Sequence, residues 1–197
     1  MAARISAAYA VACASFFLNM VCLVFIPSTP NHFTWWALAL VAFYDVTQIA
    51  AGALELIAPG PAAVALKRVS QRVWTVCIGC SSIVCLGVLV MSFLACTALP
   101  ETMTETGVLN YAVGNYAVHF LPIGRLLFTM PKVISNAGYD VGLAAAVVVT
   151  YCLYFQPRHI YGCAIPRWLT VIALTLPLLV CSLTLFTLYG QRSFPEK

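Results

Sequence analysis

The stretch FTWWALALVAFYDVTQIAAGALELI, from Phe33 to Ile57, decides how this chain is read. It runs without proline for longer than the roughly 20 residues a helix needs to cross a bilayer. Its charged side chains are Asp45 and Glu55. The polar groups are not scattered. Thr34, Leu38, Val41, Asp45, Gln48, Gly52 and Glu55 recur at spacings of four and three, so they share one helix face. Charged groups at membrane depth face a bundle interior or a cavity. The pattern predicts a membrane-spanning helix with one stripe turned toward neighbouring helices.

The rest of the chain agrees. Of its 197 residues, 62% are hydrophobic and 8% charged, with a mean hydropathy of +0.95. Soluble domains carry about 25% charged residues. A soluble protein this small has too much surface for its volume to bury so much apolar side chain. Lipid must be the solvent. Apolar segments are expected at 7–26, 33–57, 74–98, 108–130, 139–156 and 167–190. The breaks between them, such as IPSTPNH, APGPAAVALKRVSQR, TALPETMTET, MPKVISNAG and QPRHIYGCAIPR, are rich in turn-forming residues. The predicted fold class is all-α: an integral membrane bundle of six transmembrane helices, one domain over 1–197, with no sheet. The fifth segment is short enough to be tilted or partly re-entrant. Pro122 and Pro177 fall inside helices, where neighbouring groups can satisfy the freed carbonyls.

An even number of spans puts both termini on the same side. That side carries Arg4, Lys67, Arg68, Arg72, Lys132, Arg192 and Lys197, against Arg158 and Arg167 with Glu101 and Glu105 opposite. The positive-inside rule therefore places both ends in the cytosol, or in the matrix of a mitochondrion. Trp35, Trp36, Trp74 and Trp168 stand at expected helix starts, as interfacial anchors do.

A net charge of +4 without a Lys/Arg run gives no footprint for nucleic acid. Of the nine cysteines, Cys13, Cys22, Cys77, Cys80, Cys85, Cys96, Cys152 and Cys181 lie in or beside apolar runs and read as small hydrophobes. Cys77 and Cys80 have the spacing of a metal or redox pair, but no second pair accompanies them. Cys163, in a loop, is the candidate reactive thiol. No Gly-rich phosphate loop, GxSxG or HExxH occurs, and neither cofactor nor metal is expected. The N-terminal MAARISAAYAVACASFF has the outline of a signal peptide but is read as retained. It is rich in Ala and Ser and lacks acidic residues, as mitochondrial import sequences do.

The fourth segment, NYAVGNYAVHFLPIGRLLF from Asn110 to Phe128, offers a matching polar face. Tyr111, Asn115, His119 and Pro122 lie along it, with Arg125 deeper. These residues, with Thr34, are expected to line a lipid-holding cavity. Arg125 is expected to pair with Asp45 or Glu55, since an unpaired intramembrane charge is costly. His119 taken alone reads either as a satisfied core histidine or as a base.

Several motifs bear a resemblance in order along the chain. HFTWWALALVAFY, with Thr34 and Tyr44, resembles the start of helix two in the androgen-induced-gene family of multi-pass membrane hydrolases. KRVSQRVWTV resembles that family's basic loop before helix three. His119 ahead of Leu121-Pro122 resembles its helix-four histidine. HIYGCAIP, from His159 to Pro166, resembles its Gly–Pro loop, and LTLFTLYGQ, ending on Gln191, its final helix. The resemblance implies a threonine hydrolase of lipid esters, notably fatty acid esters of hydroxy fatty acids. Thr34 would be the nucleophile and His119 its base, in the usual logic of a weak hydroxyl activated by an imidazole.

The chain departs from that pattern. Tyr116 stands where the family often has a second histidine, and the spacing from His119 to Leu121-Pro122 is shorter. Thr34 opens its segment, whereas His119 lies about eleven residues into its own, or roughly 16 Å at 1.5 Å per residue. The two are therefore expected to lie farther apart than a hydrogen bond. On that basis the favoured expectation is an accessory, structural subunit of a larger membrane complex, with His119 a relic of lost chemistry. A bundle this small has little with which to hold polar chain ends, so other membrane subunits are expected as partners, beside membrane lipids. The inner mitochondrial membrane is the expected location, with the endoplasmic reticulum or plasma membrane as alternatives. The second expectation is the hydrolase itself.

Overall fold

The computed structural model describes residues 2–25, 32–93, 108–129 and 137–155. All described secondary structure is helical: α1 (Ala2–Phe25), α2 (Phe33–Ile57), α3 (Pro61–Phe93), α4 (Val108–Phe128) and α5 (Ala137–Phe155). The sixth expected segment, 167–190, lies outside the described residues. So do the His159–Pro166 loop with Cys163, the LTLFTLYGQ motif ending on Gln191, and Cys96, Trp168, Cys181 and Pro177. Two helices are long and apolar enough to cross a membrane, Phe33–Ile57 and Pro61–Leu89. Shorter apolar helical stretches cover Tyr9–Val24, Ala117–Phe128 and Tyr139–Tyr151.

The helices α2 and α3 form the central hairpin. α2 ends where Ala58 donates its N–H to the Leu54 carbonyl at 2.9 Å, and Pro59-Gly60 turns the chain. Pro61 then opens α3 at the first helical position, where its missing N–H costs nothing. This corrects one expectation. The stretch from Pro61 to Arg72 is not a loop but the first turns of a 33-residue helix. Ala62, Ala63, Ala65 and Leu66 are strong helix formers, and Lys67 and Arg68 are exposed on the helix surface. A helix that long runs roughly 50 Å, well beyond a hydrocarbon core of about 30 Å. Its basic start can therefore stand clear of lipid while its apolar remainder spans.

Three apolar clusters hold the bundle. Phe33, Ala37, Cys80, Ile83, Val148 and Tyr151 join α2, α3 and α5, with the Phe33 and Tyr151 ring centroids 4.9 Å apart. Val41, Tyr44, Trp74, Cys77, Ile78 and Leu126 join α2, α3 and α4. Cys22, Leu38 and Val118 join α1, α2 and α4. The cysteines Cys22, Cys77, Cys80 and Cys85 are buried and form no disulfide, filling core positions as small apolar groups do.

Trp74 needs a correction too. It is no interfacial anchor. Its indole is 2% exposed, and its N–H donates to the Leu126 carbonyl at 2.8 Å. The Leu126 carbonyl, in the last turn of α4, also accepts from the Thr129 N–H at 3.2 Å, so the indole is a second donor that ties this helix end to the middle of α3. Outward, every described helix presents large apolar side chains. Phe17 is 71% exposed, Ile57 82%, Phe128 79% and Tyr154 79%.

Candidate functional site

The stripe on α2 behaves as one face. Thr34, Leu38, Val41 and Asp45 are all buried, and Gln48, Gly52 and Glu55 are half-buried toward the helix end. Each of its polar members has found a partner on a different helix.

At the start of α2, the Thr34 hydroxyl lies 3.2 Å from Nε2 of His119 on α4. Thr34 is 8% exposed, and Leu38, 1% exposed, packs one turn beyond it with Val118 rather than between the two. The expected separation is therefore overturned. The reason is axial stagger. His119 lies about eleven residues into α4, so α4 begins some 15 Å beyond the start of α2. A second contact fixes this register: the Tyr44 hydroxyl donates to Thr129 Oγ1 at 3.3 Å. From Thr34 to Tyr44, and from His119 to Thr129, is about ten residues or 15 Å along each axis. The two helices thus run parallel and in step between these contacts.

α4 is held to that depth from α3 as well. The Cys85 thiol donates to the His119 carbonyl at 2.8 Å, directly behind the imidazole. Pro122 is buried and sits within α4.

Deeper, Arg125 Nη2 donates to Asp45 Oδ1 at 3.1 Å. Between the two expected partners, Asp45 is the one used. Glu55 instead accepts from Lys67 Nζ at 2.9 Å, on the exposed flank of the hairpin. Asp45 has no exposed surface. Its other oxygen, Oδ2, accepts from the Ser15 hydroxyl and from Asn19 Nδ2 at 3.1 Å. Arg125 also donates through Nη1 to Thr129 Oγ1, and its guanidinium lies 5.7 Å from the Tyr44 ring centroid. Gln48 Nε2 extends the network to Ser70 Oγ on α3 at 2.6 Å.

Sequence reasoning missed Ser15, Asn19 and Thr129. Ser15 and Asn19 were findable: they sit one turn apart on α1 and face the same way. Asp140, near the start of α5, was missed too. It is buried, and its carboxylate oxygens have no hydrogen-bond partner among the described residues.

The expected cavity around Thr34 and His119 is not the groove found beside it, since neither residue lines that groove. The side chains of Tyr111 and Asn115 lie outside the described residues, although both positions belong to α4. Pro122 lines a groove of about 420 Å³ between α1 and α4. Cys22, at one end of that groove, packs with Leu38 and Val118, the immediate neighbours of the Thr34–His119 contact. Among the described residues, no group of three or more His, Cys, Asp or Glu is placed to hold a metal ion.

Chemically, the contact pairs an aliphatic hydroxyl with an imidazole inside an apolar bundle. Thr34 lies in the first turn of α2, where the positive end of the helix dipole favours a developing alkoxide. Comparison of the chain with protein-family models, with curated proteins and with solved structures finds no match.

Proposed function

We propose that this chain is a multi-pass membrane protein that hydrolyses lipid esters, with Thr34 as nucleophile and His119 as general base. The observation that carries the reading is the 3.2 Å contact between Thr34 Oγ1 and His119 Nε2. That distance is what general-base activation of a hydroxyl requires. The residue roles come from the resemblance to the androgen-induced-gene family.

The chemistry follows from the pair. His119 Nε2 accepts the hydroxyl proton as Thr34 Oγ1 bonds to the ester carbonyl carbon. The bond to the alcohol oxygen then breaks, and the imidazolium returns its proton to the departing alkoxide. Water then loses a proton to the same imidazole as its oxygen bonds to the acyl carbon; the bond to Thr34 Oγ1 breaks, the imidazolium returns the proton to Oγ1, and the free acid leaves.

The membrane setting is part of the proposal. The six apolar segments cross the bilayer with both termini on the cytosolic or matrix side. Supporting this are two helices of spanning length and the outward Phe17, Ile57, Phe128 and Tyr154, a surface suited to lipid rather than water. The inner mitochondrial membrane remains the preferred location because of the N-terminal composition. The accessory-subunit reading takes second place, because the separation of Thr34 from His119 on which it leaned does not hold.

The test is turnover of a long-chain hydroxy-fatty-acid ester by the purified chain. Thr34→Ala and His119→Ala should each lower the rate by roughly 10²–10⁴-fold, whereas Thr34→Ser retains measurable activity. Turnover unaffected by both Ala changes overturns the assignment. A folded protein without turnover restores the accessory subunit as the better reading.

A further inference from the structure

Pro122 stands inside α4 and divides it. It has no N–H, so the Val118 carbonyl one turn earlier loses its helical donor, and the proline ring presses on that carbonyl. In lipid, a turn weakened this way is held by groups from neighbouring helices. The weakened turn carries His119. Beyond the proline, α4 is tied to the bundle by Arg125 on Asp45, by the Trp74 indole on the Leu126 carbonyl and by the Tyr44 hydroxyl on Thr129. Before the proline, the Cys85 thiol of α3 ties it, donating to the His119 carbonyl at 2.8 Å.

Thiols are weak donors, but a hydrogen bond kept out of water is electrostatically stronger than one in it, and Cys85 is 7% exposed. Its sulfur rests on the backbone of the residue whose imidazole meets Thr34 at 3.2 Å. The adjacent Val118 packs with Cys22 and Leu38 of α1 and α2. The His119 turn is therefore gripped from two sides, by apolar packing on one and by the thiol on the other. Thr34 and His119 stand on different helices, so any slip of this turn about Pro122 opens the gap between them.

We infer that Cys85 is a positioning residue for the Thr34–His119 pair. Its thiol acts on the His119 backbone, not on substrate, and holds the imidazole at hydrogen-bond distance from the Thr34 hydroxyl. The effect on rate rests on the hydrolase reading; the effect on geometry does not. A misplacement of about 1 Å can cost roughly 100-fold in rate.

The experiment uses the full chain, purified in detergent, carrying Cys85→Ala, Cys85→Ser or Ser81→Ala. Serine keeps a donor in the place of the thiol. Ser81 lies one turn before Cys85 on α3, is buried, and has a hydroxyl without a hydrogen-bond partner among the described residues, so it controls for trimming this helix. Turnover of a long-chain hydroxy-fatty-acid ester gives kcat and KM. The NMR signals of isotope-labelled imidazoles, with His119 assigned by His119→Ala, read the contact itself, and Thr34→Ala supplies the signal of the broken contact. Cys85→Ala should lower kcat by roughly 10- to 100-fold at unchanged KM and move the His119 signal toward its Thr34→Ala position. Cys85→Ser should restore both, and Ser81→Ala should change neither. A His119 signal that Cys85→Ala leaves in place overturns the inference whatever the turnover. So does a serine variant no better than the alanine one, a change confined to KM, or a Ser81→Ala chain as slow as Cys85→Ala. Turnover insensitive to Thr34→Ala and His119→Ala overturns the hydrolase reading instead, and the His119 signal then decides the positioning by itself.

Discussion

Asp45 is fully buried, and its carboxylate is answered from α1 by Ser15 and Asn19 and from α4 by Arg125. Removing one partner of such a pair leaves an uncompensated charge, at a cost of about 3–5 kcal/mol. Asp45→Ala should therefore destabilise the chain by that order in a thermal-unfolding series in detergent. The double change Asp45→Leu with Arg125→Met should cost less than either single one, because no orphan charge remains. Additive losses in that cycle would contradict the pairing. Trp74 makes a smaller case. Trp74→Phe keeps most of the packing but removes the 2.8 Å indole donor while the Leu126 carbonyl keeps the Thr129 N–H, for an expected loss of about 0.5–1.5 kcal/mol. A melting temperature unchanged by Trp74→Phe would show that water or another donor replaces the indole. The choice of Asp45 over Glu55 was not legible in the sequence, since both lie on one face. Depth decides it: Glu55 is near the end of α2, within reach of the exposed Lys67.

Between elements, close approach matters more than charge. An added Cβ at Gly79 on α3 would lie 3.1 Å from the Ala144 Cβ on α5, so the absence of a side chain sets how near the two helices come. Gly79→Leu should force them apart, costing about 1–3 kcal/mol as overpacking does, and should lower the melting temperature measurably. Gly79→Ala asks for a shift of only a few tenths of an ångström and should be far milder. If both are neutral, α3 and α5 are not packed this tightly. The bounds of α2 were legible because Pro30 precedes and Pro59-Gly60 follows an unbroken apolar run. The start of α3 was not, because Lys67, Arg68 and Arg72 looked like a loop while lying on a 33-residue helix, longer than the roughly 30 Å thickness of a hydrocarbon core. The Thr34–His119 contact shows the same limit. Both residues stand out locally, but the stagger between α2 and α4 is set by Tyr44–Thr129, Trp74–Leu126 and Cys85–His119, which local periodicity does not encode.

For the whole molecule, large apolar side chains face outward on all five described helices, including Val64 and Leu89 of α3. With six spans, a label at residue 1 and one at residue 197 should be modified from the same side of sealed vesicles. Labelling from opposite sides would contradict the proposed topology. The central claim, that the buried hydroxyl reacts, is tested most directly by looking for its acyl adduct. The purified chain is mixed with the p-nitrophenyl ester of a long-chain acid, quenched early, digested and mapped by mass spectrometry. The proposed chemistry predicts one acyl group on Thr34, absent when His119 is Ala. Continued release of p-nitrophenol with Thr34 unmodified, or acylation confined to another residue such as Cys85, would contradict it.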